Sequence, residues 1–399
     1  MPKLKFNWLS LTNRQLDSNR FCEQSILSTS ISTATMSSNT VENSLPHVGT
    51  IIEHHSGLRF EVCRVLASGP FSDVFVVRNS NGETFAMKVE REVGVIRPVL
   101  KLDVYVLTAL GAKAGFPHLI AAGRCQHYKY AVMQLVGVDV GKLRRAMPEK
   151  KFSLGTALRI CKQTLERIET LHNLGWLCRD VKANNFAIGR GENSSIIYML
   201  DFGFARRYMD KNGAHLPPRP AAALLGTIHY APMAAHNNQD QCRRDDLESW
   251  LYMCVELCSG PLPWATLDPL ANHQIIGEWK QFIRVHGRNK FFSGCPDELS
   301  DLLTLIDAVA FENCPPYQEL HQILDTTMKR YDVHLTDLFD WQLNDNAVMN
   351  RAEFIGELGQ SHLLSTRLRE QRDALADAAD AHDCNPPVDA TEGDKLPIL

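Results

Sequence analysis

The hydrophobic period of the chain changes once, at Gly137, and this limits the fold more than any other feature. Before it, short runs rich in Val, Ile and Phe at 58–66, 73–78 and 84–89 are separated by Gly, Ser and Asn, with Asn81-Gly82 as a hairpin dipeptide. Segment 96–110 then sets Ile96, Val99, Leu100, Leu102, Val106, Leu107 and Leu110 at helical spacing, ahead of strand-like runs at 118–122 and 129–135. After Gly137, 154–174 and 245–259 read as long buried helices, and further helical patterns follow at 269–285, 297–310 and 316–330. The expectation is an α+β fold in two lobes: a small antiparallel β-rich N-terminal lobe with one helix, and a larger helical C-terminal lobe. One short connector between them leaves a cleft, where ligands usually sit.

A chain of 399 residues that is 44% apolar can bury a substantial core. Its net charge of −4 provides no basic field for sequence-blind nucleic-acid binding, so no nucleic-acid partner is expected. Apolar runs stay short of the ~18 residues a spanning helix needs, so no membrane partner is expected either. The 11 cysteines, among them Cys63, Cys125, Cys161, Cys178 and Cys242, are odd in number and form no Cys-x-x-Cys pair. That pattern points to reduced thiols in the cytoplasm, and equally in the nucleus. No His-Glu-x-x-His helix occurs among the 15 histidines, and no zinc site is expected.

Residues 1–50 read as a disordered, Ser/Thr-rich extension; Lys3, Lys5, Arg14 and Arg20 against Asp17 and Glu23 only weakly imitate a transit peptide. Residues 51–343 form the expected compact domain, and a monomer is the default for such a unit. Residues 344–399 read as an amphipathic helix (362–379) followed by an acidic, disordered end.

The most specific string is Cys178-Arg179-Asp180-Val181-Lys182-Ala183-Asn184-Asn185, followed by Met199-Leu200-Asp201-Phe202-Gly203. This pair has the form of a protein-kinase catalytic loop and metal-binding motif. Phosphoryl transfer from ATP needs a carboxylate to orient and deprotonate the incoming hydroxyl, and oxygen ligands to hold Mg²⁺ on the phosphates. Asp180 fits the first role; Asn185 and Asp201 fit the second. Lys182, two residues past Asp180, suits contact with the transferred group and favours Ser/Thr over Tyr acceptors. Upstream, Phe85-Ala86-Met87-Lys88 matches the strand pattern whose lysine neutralises the nucleotide phosphates. Its helix partner is then Asp103, one methylene shorter than the usual Glu, so the helix would have to sit closer. Ala67-Ser68-Gly69-Pro70-Phe71-Ser72 occupies the place of the nucleotide loop but keeps one of the three usual glycines. Met133 is placed as gatekeeper, with Gln134 and Leu135 offering backbone groups to an adenine edge.

With these residues in place, the segment from about 55 to 343 resembles the casein kinase 1 superfamily, and its tau-tubulin kinase branch in particular. Pro98-Val99-Leu100-Lys101-Leu102-Asp103, Asn185-Phe186-Ala187, Gly226-Thr227-Ile228-His229-Tyr230-Ala231, Arg244-Asp245-Asp246-Leu247 and Leu262-Pro263-Trp264 carry the likeness by their order. The resemblance implies that Asp246 anchors the catalytic-loop backbone near Cys178 and Arg179. It also implies protein substrates, acidic or already phosphorylated, with Arg206, Arg207, Arg243 and Arg244 flanking the place where they lie.

The chain departs from that pattern at Asp103, at the glycine loop, at Cys178 in place of His, and at Ala231-Pro232-Met233. The first two departures keep a second expectation open, a pseudokinase scaffold that binds partner proteins with little nucleotide turnover. A small-molecule kinase of related fold is the third, and Lys182 and the Gly226–Ala231 segment argue against it.

Overall fold

The computed structural model describes residues 45–69, 71–92 and 98–343. Pro70, Ile96, nearly all of the 1–50 extension and the whole 344–399 tail lie outside the described residues.

The N-terminal lobe is one antiparallel sheet of six strands: β1 (Ile51–Glu53), β2 (Arg59–Ser68), β3 (Asp73–Asn79), β4 (Thr84–Arg91), then helix α1 (Leu100–Leu110), β5 (Leu119–Arg124) and β6 (Tyr128–Gln134). They run in the order β1-β2-β3-β4-β6-β5. Strands β2 to β6 fall on the five expected runs, whereas β1, three residues long, had no run of its own. Alternation does the rest, since successive side chains leave opposite faces: Val77, Met87 and Val132 are fully buried on one face, and α1 packs Leu100 and Val104 on Ala122 and Ala131 of the other. Backbone bonding begins just upstream of the boundary expected at residue 51, because Gly49 N donates to Val62 O (2.8 Å) and Thr50 O accepts from Val62 N (2.9 Å).

The C-terminal lobe contains α2 (Val140–Ala146), α3 (Leu154–Asn173), strands β7 (Trp176–Leu177), β8 (Phe186–Ile188), β9 (Ile197–Met199) and β10 (Arg206–Arg207), then α4 (Met233–His236), α5 (Arg243–Ser259), α6 (His273–Val285), α7 (Arg288–Phe291), α8 (Glu298–Asp307), α9 (Tyr317–Arg330) and α10 (Asp340–Leu343). The long helical patterns land within a few residues of these bounds. Helix α6 starts at 273 rather than 269 because Asp268 Oδ1 accepts from Leu270 N and Ala271 N, and that turn competes with the helix. Strands of two or three residues, and the four-residue helices, are too short to leave a period in sequence.

Helix α5 crosses the centre of this lobe, with Trp250, Leu251, Tyr252 and Met253 fully buried. Burying each such side chain is worth ~1.5–3 kcal/mol. A charge on a buried helix needs partners, and two on α5 find theirs inside the lobe: Glu248 Oε1 accepts from Met233 N (2.9 Å), Tyr252 OH (2.6 Å) and Arg284 Nη2 (3.0 Å), and Glu256 Oε1 pairs with Arg144 (2.9 Å).

The described domain closes on itself at its far end. Arg159 of α3, 1% exposed, lies 3.8 Å from the centre of the Phe339 ring and donates to Asp337 O and to Leu338 O (2.8 Å). Trp341 stacks on Phe339 at 4.4 Å, and Asp340 accepts from Ser153 N (2.7 Å), the residue that caps α3. Arg159→Ala leaves two carbonyls without their donor and removes the stack. It should lower unfolding stability by ~2–3 kcal/mol, read as the urea midpoint, while KM for nucleotide stays unchanged.

Candidate active site

The loop after β7 has a conformation it would not adopt alone. Arg179 (φ 64°) and Asp201 (φ 58°) both have left-handed backbone, sparsely populated for side chains of this kind. Such strain persists only where the surroundings over-determine it. For Arg179 they do: Asp246 of α5 accepts from Arg179 N at Oδ1 and from Cys178 N at Oδ2, each at 2.7 Å. His172 Nε2 lies 2.8 Å from the same Oδ2, and His172 Nδ1 meets Tyr317 OH. Asp246 is therefore where the sequence puts it; His172, at the end of α3, carried no motif signal and was missed. Cys178 is fully buried, and burial pushes its thiol well above the ordinary range, as suits packing rather than reactivity. Gly226 (φ 89°) presses against this loop from the other side. A Cβ there would lie 2.6 Å from Arg179 O, so only glycine allows the approach.

That approach completes a cluster around Asp180. Its Oδ1 accepts from Thr227 N and Thr227 Oγ1, both at 2.8 Å; its Oδ2 accepts from Lys182 Nζ (2.7 Å) and Asn185 Nδ2 (3.2 Å). Lys182 Nζ also donates to Thr227 Oγ1 at 2.8 Å. Burial acts against the Lys182 charge, but Asp180 and then Asp201 outweigh it and its pKa is raised. The structure brings Asp180, Lys182 and Asn185 together in one group. Thr227 was quoted for its motif and given no role, because a residue 47 positions from Asp180 shows its contact only once folded.

Across the cleft, Lys88 of β4 donates to Asp103 Oδ2 of α1 (2.6 Å) and to Asp201 Oδ1 (2.9 Å). The shorter acid does reach its lysine. Asp103 Oδ1 accepts in addition from Phe202 N at 2.6 Å, so one carboxylate ties the strand, the helix and the metal-binding motif. Burial opposes charge on Lys88, yet its two carboxylates raise its pKa. Burial also pushes Asp103 up to about 6, whereas for Asp201, whose side chain still reaches solvent, Lys88 and Lys182 outweigh the local desolvation and hold the carboxyl at about 2.

Ala67 and Ser68 end β2 opposite Val74 and Asp73, and Gly69 N donates to Ser72 O (3.0 Å), which closes the loop as a tight turn. Phe71 reaches down to Phe204, ring centroids 5.6 Å apart, so the tip of the loop spans the cleft. Met133 packs between the Leu100 cluster under α1 and the large C-terminal core, as a gatekeeper would. Gln134 N is committed to His118 O (2.9 Å), and Gly137 N to Ile188 O (2.7 Å).

Two arginines stand elsewhere than expected. Arg243 is buried and donates to Glu312 O (3.0 Å), and Arg244 donates to Val309 O (2.9 Å); both bind the lobe together rather than facing an acceptor. Arg206 and Arg219 both approach Asp240, at 3.7 and 2.8 Å, while Arg207 lies over Trp176. A cavity of about 450 Å³ that the sequence did not reveal opens beside the catalytic loop, lined by Lys182 and Thr227 together with Arg144, Arg145, Lys150 and Glu256.

Among the described residues, no helix is long and apolar enough to cross a membrane. Residues 60–322 match the Protein kinase domain family. The chain is 52% identical over 327 residues to the serine/threonine-protein kinase spe-6 of Caenorhabditis elegans, covering 81% of this chain and 86% of that protein. It is 34% identical over 291 residues to a probable serine/threonine-protein kinase of Dictyostelium discoideum, covering 72% of this chain and 57% of that protein. A bilobal fold, a cleft with a lysine on one wall and a catalytic loop on the other, and kinship over most of the length agree: the chain belongs to the protein kinase family, as a serine/threonine kinase.

Proposed function

We propose that this kinase uses ATP and Mg²⁺, with Asp180 as the base that takes the proton of the acceptor hydroxyl. The observation that carries this is the cluster at Asp180, where Lys182, Thr227 and Asn185 all converge on one carboxylate. Held this way, Asp180 is oriented before substrate arrives, and its proton transfer needs little rearrangement. As the acceptor O–H bond breaks toward Asp180, the acceptor oxygen bonds the γ-phosphorus and the bond to the β-phosphate oxygen opens, releasing ADP. Lys182 steadies charge on the transferred group, and Lys88 does the same on the remaining phosphates. Both lysines are kept charged by the carboxylates around them.

The residues present suit Mg²⁺, which prefers hard oxygen ligands. Asn185 turns its amide nitrogen to Asp180 O (2.9 Å), leaving the amide oxygen as its ligand atom. The Asp201 side chain is 43% exposed and bonds Lys88 through Oδ1, leaving Oδ2 toward the cleft. When bound, the ion neutralises phosphate charge; the two side chains and Lys88 fix where that charge sits. Ala67, Ser68 and Gly69 cover the phosphates and Met133, Gln134, Leu135 and Val136 flank the base in the same scheme.

The ordered motifs from Pro98 to Trp264 support a place in the casein kinase 1 superfamily, on its tau-tubulin kinase-like branch. The acceptor is an acidic or already phosphorylated protein segment, and the cavity beside Thr227 supports this. Its one carboxylate, Glu256, is already matched by Arg144 (2.9 Å) and Tyr230, and Lys182 is matched by Asp180 (2.7 Å), which leaves Arg145 and Lys150 to set the sign of the field. Asp240, by contrast, already answers Arg206 and Arg219. A monomer of the cytoplasm and nucleus completes the proposal, supported by cysteines without paired spacing.

Asp180→Asn should lower kcat for casein phosphorylation by at least about a thousandfold and leave Mg·ATP affinity within about threefold; retained transfer would remove Asp180 as the base. The pair Arg145→Glu and Lys150→Glu should raise KM about five- to tenfold for a peptide carrying Asp or phosphoserine beside its acceptor. No comparable rise is expected for ATP. Equal effects on acidic and neutral peptides would sink the acidic-acceptor assignment and leave the kinase assignment standing.

A further inference from the structure

Helix α1 carries Asp103 in its first turn but begins without a side-chain cap of its own, its N-terminal flank being Val99. The first N–H groups of a helix have no partner inside it. Two of them are satisfied here from another element. Glu90 Oε2 accepts from Val99 N at 2.6 Å and from Leu100 N at 2.9 Å, and Glu90 is 1% exposed. Glu90 lies on β4 two residues past Lys88, so both side chains leave the same face of the strand.

We infer that Glu90 is a positioning residue for the catalytic ion pair: it holds the start of α1 against β4, so that the short side chain of Asp103 reaches Lys88. The inference rests on the assignment of Lys88 to the nucleotide phosphates. Two contacts join strand and helix. On the strand they are two residues apart, about 6.6 Å. On the helix they are three to four residues apart, about one 5.4 Å turn. The spacings match closely enough for the pair to act as a two-point clamp, with Asp103 at one point and the helix terminus at the other. A carboxylate at that terminus is also favoured by the helix dipole. Released at Glu90, α1 would pivot about Asp103 and lengthen a bond now at 2.6 Å. It would also shift Val99, whose side chain closes on Gly203: a Cβ on that glycine would lie 2.8 Å from Val99 Cβ. The same clamp explains the tolerance for Asp in place of Glu. With the helix drawn in by one methylene, a longer acid at 103 has no room.

The test compares wild type, Glu90→Gln, Glu90→Ala, Asp103→Glu and the doubles of each Glu90 variant with Asp103→Glu, measuring kcat, KM for ATP and unfolding midpoint on the full chain. Glu90→Ala should raise KM for ATP and lower kcat/KM by roughly ten- to a hundredfold, and Glu90→Gln, which keeps an acceptor oxygen, by less. Asp103→Glu alone should lower kcat/KM. In the Glu90→Ala background the same change should raise it, because the freed helix accommodates the longer side chain. If Glu90→Ala fails to fold, the Glu90→Gln background gives the same test of sign. A lower midpoint without that reversal, or an unchanged KM for ATP, overturns the inference. A Lys88→Met variant that keeps full activity shows instead that the underlying assignment is wrong, and the inference falls with it.

Discussion

One ammonium group, Lys88 Nζ, sits between two carboxylates that come from different parts of the chain, Asp103 on α1 and Asp201 after β9. Removing one partner of a buried pair of this kind costs ~3–5 kcal/mol, because the remaining charge is left without compensation. The bond therefore does more than orient a lysine. It sets the distance of α1 from the sheet and, through Asp103 and Phe202 N, the position of the segment that carries Asp201. The two walls of the cleft share one electrostatic joint.

The opposite wall is organised by α5. Asp246, Glu248 and Glu256 of α5 each spend their charge on a different segment: Asp246 on the catalytic loop, Glu248 on Met233 N just past the Gly226–Ala231 platform, and Glu256 on Arg144 and Tyr230 beside the cavity. Lys280 of α6 adds to this from below. It is fully buried, burial pushes its pKa well below the ordinary value, and it donates to Ile228 O (2.9 Å) and Ala231 O (2.7 Å) of the platform. Buried polar groups that find their partners favour one arrangement. Here the arrangement specified is that of Gly226–Ala231 against Asp180, and it holds Arg179 in its left-handed conformation.

What could be read from the sequence follows from the range of each interaction. Sheet strands and long helices leave a period of two or 3.6 in a single window, so their places were legible from runs such as 84–89 and 154–174. Motif residues that act through local spacing, Asp180 with Lys182 and Asn185, were legible for the same reason. Thr227, His172 and Glu90 were not, since each works through a partner from another element and none has an unusual neighbourhood in sequence. Arg243 and Arg244 erred in the other direction. They looked like surface charges near an acceptor, but α5 is buried on all sides, and the fold turns them inward to carbonyls at Glu312 and Val309.

The two departures that argued for an inactive scaffold bear differently on the fold. An irregular glycine loop is a loss of permissive backbone, yet Gly69 stands where the turn closes on Ser72, and Phe71 still reaches Phe204. An aspartate in place of glutamate shortens a side chain by ~1.5 Å, and a rigid helix at the usual distance would leave Lys88 without that partner. The bond nonetheless forms at 2.6 Å, and a second contact is needed to hold α1 in place, because a desolvated carboxylate such as Asp103 would otherwise relax toward water. Glu90, fixed on the same strand as the lysine, is placed to do that. A substitution that reads as decay at Asp103 is thus compensated by Glu90, on the strand that carries Lys88, and activity depends on whether the contact closes.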